Sequence, residues 1–272
     1  MPAEEKTLCS INLPIMAKDV FRVLALKSIA YARSSSNCNE SLLSILNEDK
    51  TFEAFEKGIT TTERLDWDSP FDYEHDGLKK DRKWKTHADM TERELCASPK
   101  GFFGRKFCDS IGQVVDYEVP LDEKRDAARG KVDLISIKDD VVYLLEVKKC
   151  DSDELPIRAF FEIYTFWKTL QDDPEKEAEG FQKFLKKYVK GKRSENPIVK
   201  KVIPGLLLCQ QGGCRDGILN RLRNCHEEAE KGLYRKFMNK GVRVFSYTVG
   251  PDVDAEIKVN DVTEELRGKY CC

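Results

Sequence analysis

The chain has 272 residues, 40% of them hydrophobic and 35% charged. That is enough apolar content for a sizeable core under a heavily charged surface, in one elaborated domain or two small ones. The formal net charge is −2, so no global basic field advertises a polyanion partner and any nucleic-acid contact must come from local patches. The opening MPAEEKTLCS is acidic and polar and does not read as a signal peptide. The most apolar early run, 20–31, is short and broken by Arg22 and Lys27, which excludes a membrane span. A cytoplasmic protein with no membrane partner is expected. Its 10 cysteines contain no CxxC pair and read as reduced thiols. Cys209, Cys214, Cys225 and His226 match no common zinc spacing.

Residues 16–34 fit a helix, with Val20, Val23, Leu24 and Tyr31 on one stripe. Shorter helices are expected at 40–48 and at 51–57, the second ending at Gly58. This N-terminal helical region, 1–90, offers a surface for a partner or for a homo-oligomer. Near its end, Lys79, Lys80, Arg82, Lys83 and Lys85 surround Trp84. The cluster suits either a solvated loop or a contact with a nucleic-acid backbone and base.

From residue 91 the pattern changes. Thr91 followed by Glu94 has the spacing of a capping box, and Pro99 ends or kinks the helix it opens. Phe102, Phe103, Phe107 and Ile111 predict a second helical stripe. A strand from 113 to 119 ends at Pro120, and the charged loop DEKRDAARG follows. Residues 131–137 and 141–149 then read as two strands joined by a tight turn at Lys138-Asp139-Asp140. Pro156 opens a helix from 157 to 170, with Phe160, Tyr164 and Trp167 on a face that packs on the sheet. An acidic stretch, 171–179, leads to a helix at 179–190. Lys183, Lys186, Lys187, Lys190, Lys192, Arg193, Lys200 and Lys201 then face a single acid, Glu195. They form either a solvated surface or a phosphate track. GLLLC at 205–209 is an apolar strand with Pro204 at its start. A long amphipathic helix is predicted over 216–239, ended by Gly241, and a last strand over 242–249. An acidic C-terminal tail, 251–272, carries a short helix near Thr263–Arg267. The order from residue 91 is helix, three strands, helix, strand, helix, strand, an α/β (α+β) fold with a mixed sheet flanked by helices.

The chemistry concentrates in Gly130–Lys149, GKVDLISIKDDVVYLLEVKK. Its second strand is apolar and β-branched enough to be covered on both faces, yet it carries Glu146 and Lys148, which share a face. If the two strands are antiparallel neighbours, Asp133 lies close to Glu146. Two carboxylates and a backbone carbonyl suit a hard cation such as Mg²⁺ or Mn²⁺. Lys148 would then orient or help deprotonate a metal-activated water and offset charge on a phosphorane. The alternative is a salt bridge of Lys148 with Glu146 or Asp133. Arg158 and Glu162 are most simply a helix-surface pair, although Arg158 near the helix start suits a phosphate.

VD at 132–133 and EVK at 146–148, placed between strands and before a helix, resemble the PD-(D/E)xK nuclease superfamily over residues 91–250. The resemblance implies a restriction-endonuclease-like core and a divalent-metal nuclease, acting on DNA in preference to RNA. Asp133 and Glu146 would be metal ligands, Val147 would lend its carbonyl, and Lys148 would be the catalytic lysine. Members of this group often use a further acid upstream, for which Glu92, Glu94 and Asp109 are the candidates. The cations at 183–193 and Arg158 would hold the nucleic acid. Val132 stands where the motif has Pro, and Phe160 stands four residues before Tyr164 where some members have Gln. A rival expectation is a non-catalytic module on the same fold that binds nucleic acid or protein.

Overall fold

The structure, a computed structural model, describes residues 47–60, 83–120, 131–152, 154–170, 199–210 and 217–270. The predicted helices at 16–34 and 179–190, the 122–130 loop and the cations from Lys183 to Arg193 lie outside the described residues. So do most of the 40–48 segment and the 79–82 part of the basic cluster.

Seven strands form one sheet in sequential order. β1 (Lys106–Phe107), β2 (Gly112–Pro120), β3 (Lys131–Lys138) and β4 (Val141–Lys148) make an antiparallel meander. β5 (Lys201–Cys209) and β6 (Arg243–Val249) continue it in parallel with β4, and β7 (Ile257–Asp261) closes it antiparallel to β6. Parallel neighbours need crossovers. Helix α3 (Pro156–Leu170) lies between β4 and β5 in sequence. Helices α4 (Ile218–Arg223) and α5 (Glu228–Asn239) lie between β5 and β6. Helix α1 (Asp49–Thr60) precedes the sheet, α2 (Glu92–Ala97) leads into it, and α6 (Thr263–Tyr270) follows β7. The mixed sheet flanked by helices is the α/β arrangement the sequence predicts.

Strand β4 lies at the centre, with core on both sides. Val142 and Leu144 join Ile135, Ile137, Leu206 and Leu208 under α3, α4 and α5. Tyr143, Leu145 and Val147 join Leu134, Leu207 and Phe245 on the other face, which α2 helps to cover. Alternation of side chains along β4 accounts for this division. It also assigns Glu146 and Lys148 to the face of Val142 and Leu144.

The capping box forms as predicted. Thr91 Oγ1 accepts from the Glu94 N–H and Glu94 Oε2 accepts from the Thr91 N–H. Five features depart from expectation. Residues 99–112 form turns around β1 instead of a helix, because glycines at 101, 104 and 112 punctuate the phenylalanines. Gly104 and Gly112 have φ of 75° and 74°. A Cβ at Gly112 would sit 2.0 Å from the Ile137 carbonyl oxygen, so β2 can begin against β3 only with glycine there. The 216–239 helix is two helices, broken between Asn224 and Glu227. β5 starts four residues earlier than predicted and carries Pro204 inside it. Its pairing with β6 begins only at Gly205, so Pro204 lies where β5 has one strand neighbour and a missing N–H is tolerated. Residues 251–270 are not a tail: β7 extends the sheet and α6 buries Leu266 and Tyr270. Helix α1 also runs through Gly58 to Thr60.

An aromatic cluster ties α1 to the helical layer. Phe237 of α5 is fully buried and meets the rings of Phe52, Phe160, Phe161 and Tyr164. Replacing it leaves a cavity among four rings that cannot all relax. Phe237→Ala should therefore cost about 3–5 kcal/mol of unfolding free energy. Chemical denaturation checks this, and a loss below about 1 kcal/mol would contradict a shared core.

Candidate functional site

Asp133, Glu146 and Lys148 converge at one end of the β3–β4 hairpin. The hairpin register pairs Leu134 with Leu145, and its continuation sets Asp133 opposite Glu146. Asp133 Oδ2 accepts the Val147 N–H at 2.8 Å, so the carboxylate reaches across to the backbone between the two β4 charges. Glu146 and Lys148 are 6% and 5% exposed. Lys148 Nζ lies 2.7 Å from Glu146 Oε1, so the salt bridge is present, along the strand rather than across it.

That bridge is one part of a larger cluster. Lys148 Nζ also lies 3.0 Å from Glu154 Oε2 and 3.6 Å from Glu162 Oε2. Arg158 meets Glu162 at 3.1 Å and Glu154 at 3.6 Å. Glu154 precedes α3, and Glu154, Arg158 and Glu162 recur every four residues, which stacks them on one face. The Arg158–Glu162 pair is thus half-buried and belongs to the cluster, not to a solvated helix surface. Glu154 and Glu162 were not anticipated as site residues. The signal was the i, i+4, i+8 spacing of charges on a helix that starts directly after β4.

Among the three upstream acids, Glu92 approaches the cluster. Its Oε1 accepts the Lys149 N–H at 2.9 Å, which fixes the first turn of α2 against the end of β4. Glu94 is committed to the helix cap. Asp109 is exposed in the turn after β1. Tyr164 donates its hydroxyl to Glu56 of α1 and serves the helical layer. Of the other cations named from the sequence, Lys200 is exposed and pairs with Asp140, and Lys201 is exposed at the start of β5.

Burial dominates the electrostatics. It pushes the Asp133 carboxyl up to about 7, against the pull of the Lys148 ammonium and the Val147 N–H, while Glu92 and Glu162 add to the push. Burial and then Asp133 hold Glu146 well above the usual carboxylate range, with Lys148 opposing. Burial also raises Glu154. For Lys148, burial works to discharge the ammonium, but Glu146, Glu154, Glu162 and Asp133 outweigh it and hold the group above its ordinary value. Lys148 is therefore a cation here and not a base.

Four carboxylates, Asp133, Glu146, Glu154 and Glu162, thus face two cations, Lys148 and Arg158, with Glu92 at the adjoining strand end. An excess of buried negative charge is relieved by protons or by an added cation. The donors are all oxygens, which fits a hard divalent cation in chemistry. Asp133, Glu146, the Val147 carbonyl and Glu92 are the groups available to hold one. Among the described residues, no three His, Cys, Asp or Glu side chains already stand at ligating spacing. Lys148 supplies the charge that balances Glu146, and Asp133 is engaged by a backbone N–H.

Cys96, Cys108, Cys209 and Cys225 are free thiols, whereas Cys150 is disulfide-bonded, so the expectation of reduced thiols throughout does not hold. No helix among the described residues is long and apolar enough to cross a membrane. Comparison of the chain with family models, curated proteins and solved structures returned no match.

The pH dependence of stability follows from Asp133. Its folded-state value is raised from 3.8 to about 7, so the folded protein keeps a proton that the unfolded chain releases in that window. Stability is therefore lost as pH rises from 3.8 to about 7. Glu146 acts in the same direction. In a buffer with chelator, Asp133→Asn should gain in urea midpoint relative to wild type between about pH 4.5 and about pH 7.5. Parallel pH profiles for the two proteins would contradict this account of the Asp133 carboxyl.

Proposed function

We propose that this protein is a divalent-metal-dependent nuclease with a restriction-endonuclease-like core, working in the cytoplasm on nucleic acid, DNA first. The observation that carries the reading is the convergence of Asp133, Glu146 and Lys148 at the end of a buried hairpin, within an excess of oxygen ligands. The order α2, β2, β3, β4, α3, β5 around that hairpin supports it. So does Glu92, an acid on the helix before the meander that reaches the same strand end.

The reaction is hydrolysis of a phosphodiester. The oxygen of water bonds to phosphorus, one P–O ester bond breaks, and the leaving oxygen takes a proton. Bound Mg²⁺ or Mn²⁺, held by Asp133, Glu146 and the Val147 carbonyl, would supply Lewis acidity. The remaining work falls to the chain. Lys148, fixed as an ammonium by its carboxylates, stabilises the negative charge that grows on the phosphoryl oxygens. Asp133 and the Val147 N–H brace β3 against β4 so that the donors hold their spacing. Glu92 fixes the strand end through the Lys149 N–H. Arg158, half-buried beside the cluster, is positioned to meet a phosphate as a planar cation.

One observation favours a non-catalytic binding module instead. Lys148 already engages three carboxylates, as a structural salt-bridge network would have it. Titration with Mn²⁺ separates the two readings, because the structural network needs no metal.

The nuclease reading predicts nicking of supercoiled plasmid on addition of Mg²⁺ or Mn²⁺ and none with chelator. Glu146→Ala and Lys148→Ala should each lower the nicking rate by about 10²-fold or more. Wild-type protein that cuts neither DNA nor RNA, or variants that cut at the wild-type rate, would sink the proposal.

A further inference from the structure

A concavity lies at the same end of the sheet as the acid cluster, on the other face. It is a cavity of about 130 Å³ lined in part by His87, Ala88, Leu95, Lys149, Cys209 and Tyr247. Lys149 follows β4, Cys209 ends β5 and Tyr247 lies near the end of β6. The cavity therefore sits at the carboxyl ends of three parallel strands, where open α/β sheets receive ligands. Leu95, Cys209 and Tyr247 belong to the core face opposite that of Val142 and Leu144. The cavity and the acid cluster are thus separated by the thickness of the sheet but share the end of β4 and the helix α2.

His87 stands in the wall of the cavity. Its ring is 2% exposed. Nε2 lies 2.9 Å from the Lys100 carbonyl oxygen, which can only accept, so Nε2 carries the proton and donates. Nδ1 is buried with no hydrogen-bond partner. A buried polar atom left unpaired calls for a ligand or a functional reason. The complement to a lining that includes Leu95, Cys209 and Tyr247 is a small, flat, largely apolar ring. The rim adds a charge preference. The Lys149 ammonium lies 3.2 Å from the Ala88 carbonyl oxygen and 3.4 Å from exposed Asp151, one residue beyond Lys148. A ligand whose ring enters the cavity and whose anionic group remains outside meets that cation.

We propose that this cavity receives a nucleobase of the substrate, from a nucleotide next to the one whose phosphate reaches the acid cluster. The proposal rests on the phosphodiester reading above for the identity of the ligand and on His87, Lys149 and the cavity for its location. Nucleobases are flat and largely apolar on their faces, and the volume suits a ring without its sugar and phosphate. The base must leave its stack to enter, so single-stranded or distorted segments bind more readily than regular duplex. The shared strand end couples base capture to the position of the phosphate at Lys148.

The test uses the full chain and the four 2′-deoxynucleosides as probes, read by saturation-transfer NMR. Ala88 is exposed and lines the cavity, so Ala88→Phe fills the space without removing a side-chain hydrogen bond. Wild type should show saturation transfer to the base protons of at least one nucleoside. Ala88→Phe, with near-UV circular dichroism showing an intact fold, should weaken that binding about tenfold or more, as expected for loss of a base-stacking contact. Cys209→Met, which fills the cavity from another wall, should do the same. Absence of transfer to all four nucleosides, or equal binding by both filled variants, overturns the pocket. Plasmid nicking measured in parallel keeps the two ideas apart. A protein that nicks without binding nucleosides loses the pocket and keeps the nuclease. One that binds nucleosides without nicking keeps the pocket and loses the nuclease.

Discussion

The Lys148 ammonium, 2.7 Å from Glu146 inside the core, is the interaction on which the rest of the site depends. A lysine and a glutamate taken out of water each carry a desolvation cost of several kcal/mol, which their mutual attraction offsets only with good geometry and further partners. Here the partners are Glu154 just before α3, Arg158 and Glu162 within it, and Asp133 from β3. The charge cluster therefore docks the helix that follows β4 back onto the strand it leaves. Fold and site are linked by the same groups: the apolar face of α3 packs through Phe160 and Tyr164, and its charged stripe closes over Lys148.

The location of the cluster follows from the topology. β4 is the strand where the antiparallel meander gives way to the parallel part of the sheet. It is covered on both faces, so ionisable side chains are tolerable only near its end, where helices begin and backbone N–H groups are available. The Val147 N–H meets Asp133 and the Lys149 N–H meets Glu92. A sheet edge could not hold these groups dry, and the middle of β4 could not hold them charged. The carboxylate excess left at this position is the physical reason a divalent cation is attractive there.

Much of this was legible in the sequence because it rests on short-range rules. The hairpin followed from the apolar strands on either side of Asp139-Asp140, and the shared face of Glu146 and Lys148 followed from strand alternation. The capping box at Thr91 and Glu94 followed from its spacing. The departures have local causes. Phe102, Phe103, Phe107 and Ile111 imitate a helical stripe, but Gly104, at positive φ, turns the chain between them. The stripe through Ile218, Leu222, Leu233 and Phe237 continues across the 224–227 break because both helices bury residues in the same core. β7 alternates buried Ile257 and Val259 with exposed Lys258 and Asn260, a period-two signal masked by acidic surroundings. Glu154 and Glu162 depend on how α3 docks, which strand and helix periods alone do not give. Their roles were visible only once the helix was set against β4.

The central claim is that the buried carboxylates of β3 and β4 form a cation site rather than a closed salt-bridge network. A crystal of the full chain soaked in Mn²⁺, with anomalous scattering measured at the manganese edge, tests it most directly. The account predicts an anomalous peak within ligand distance of both Asp133 and Glu146, lost in Glu146→Ala. No peak there, with Lys148 still bonded to Glu146, would contradict it.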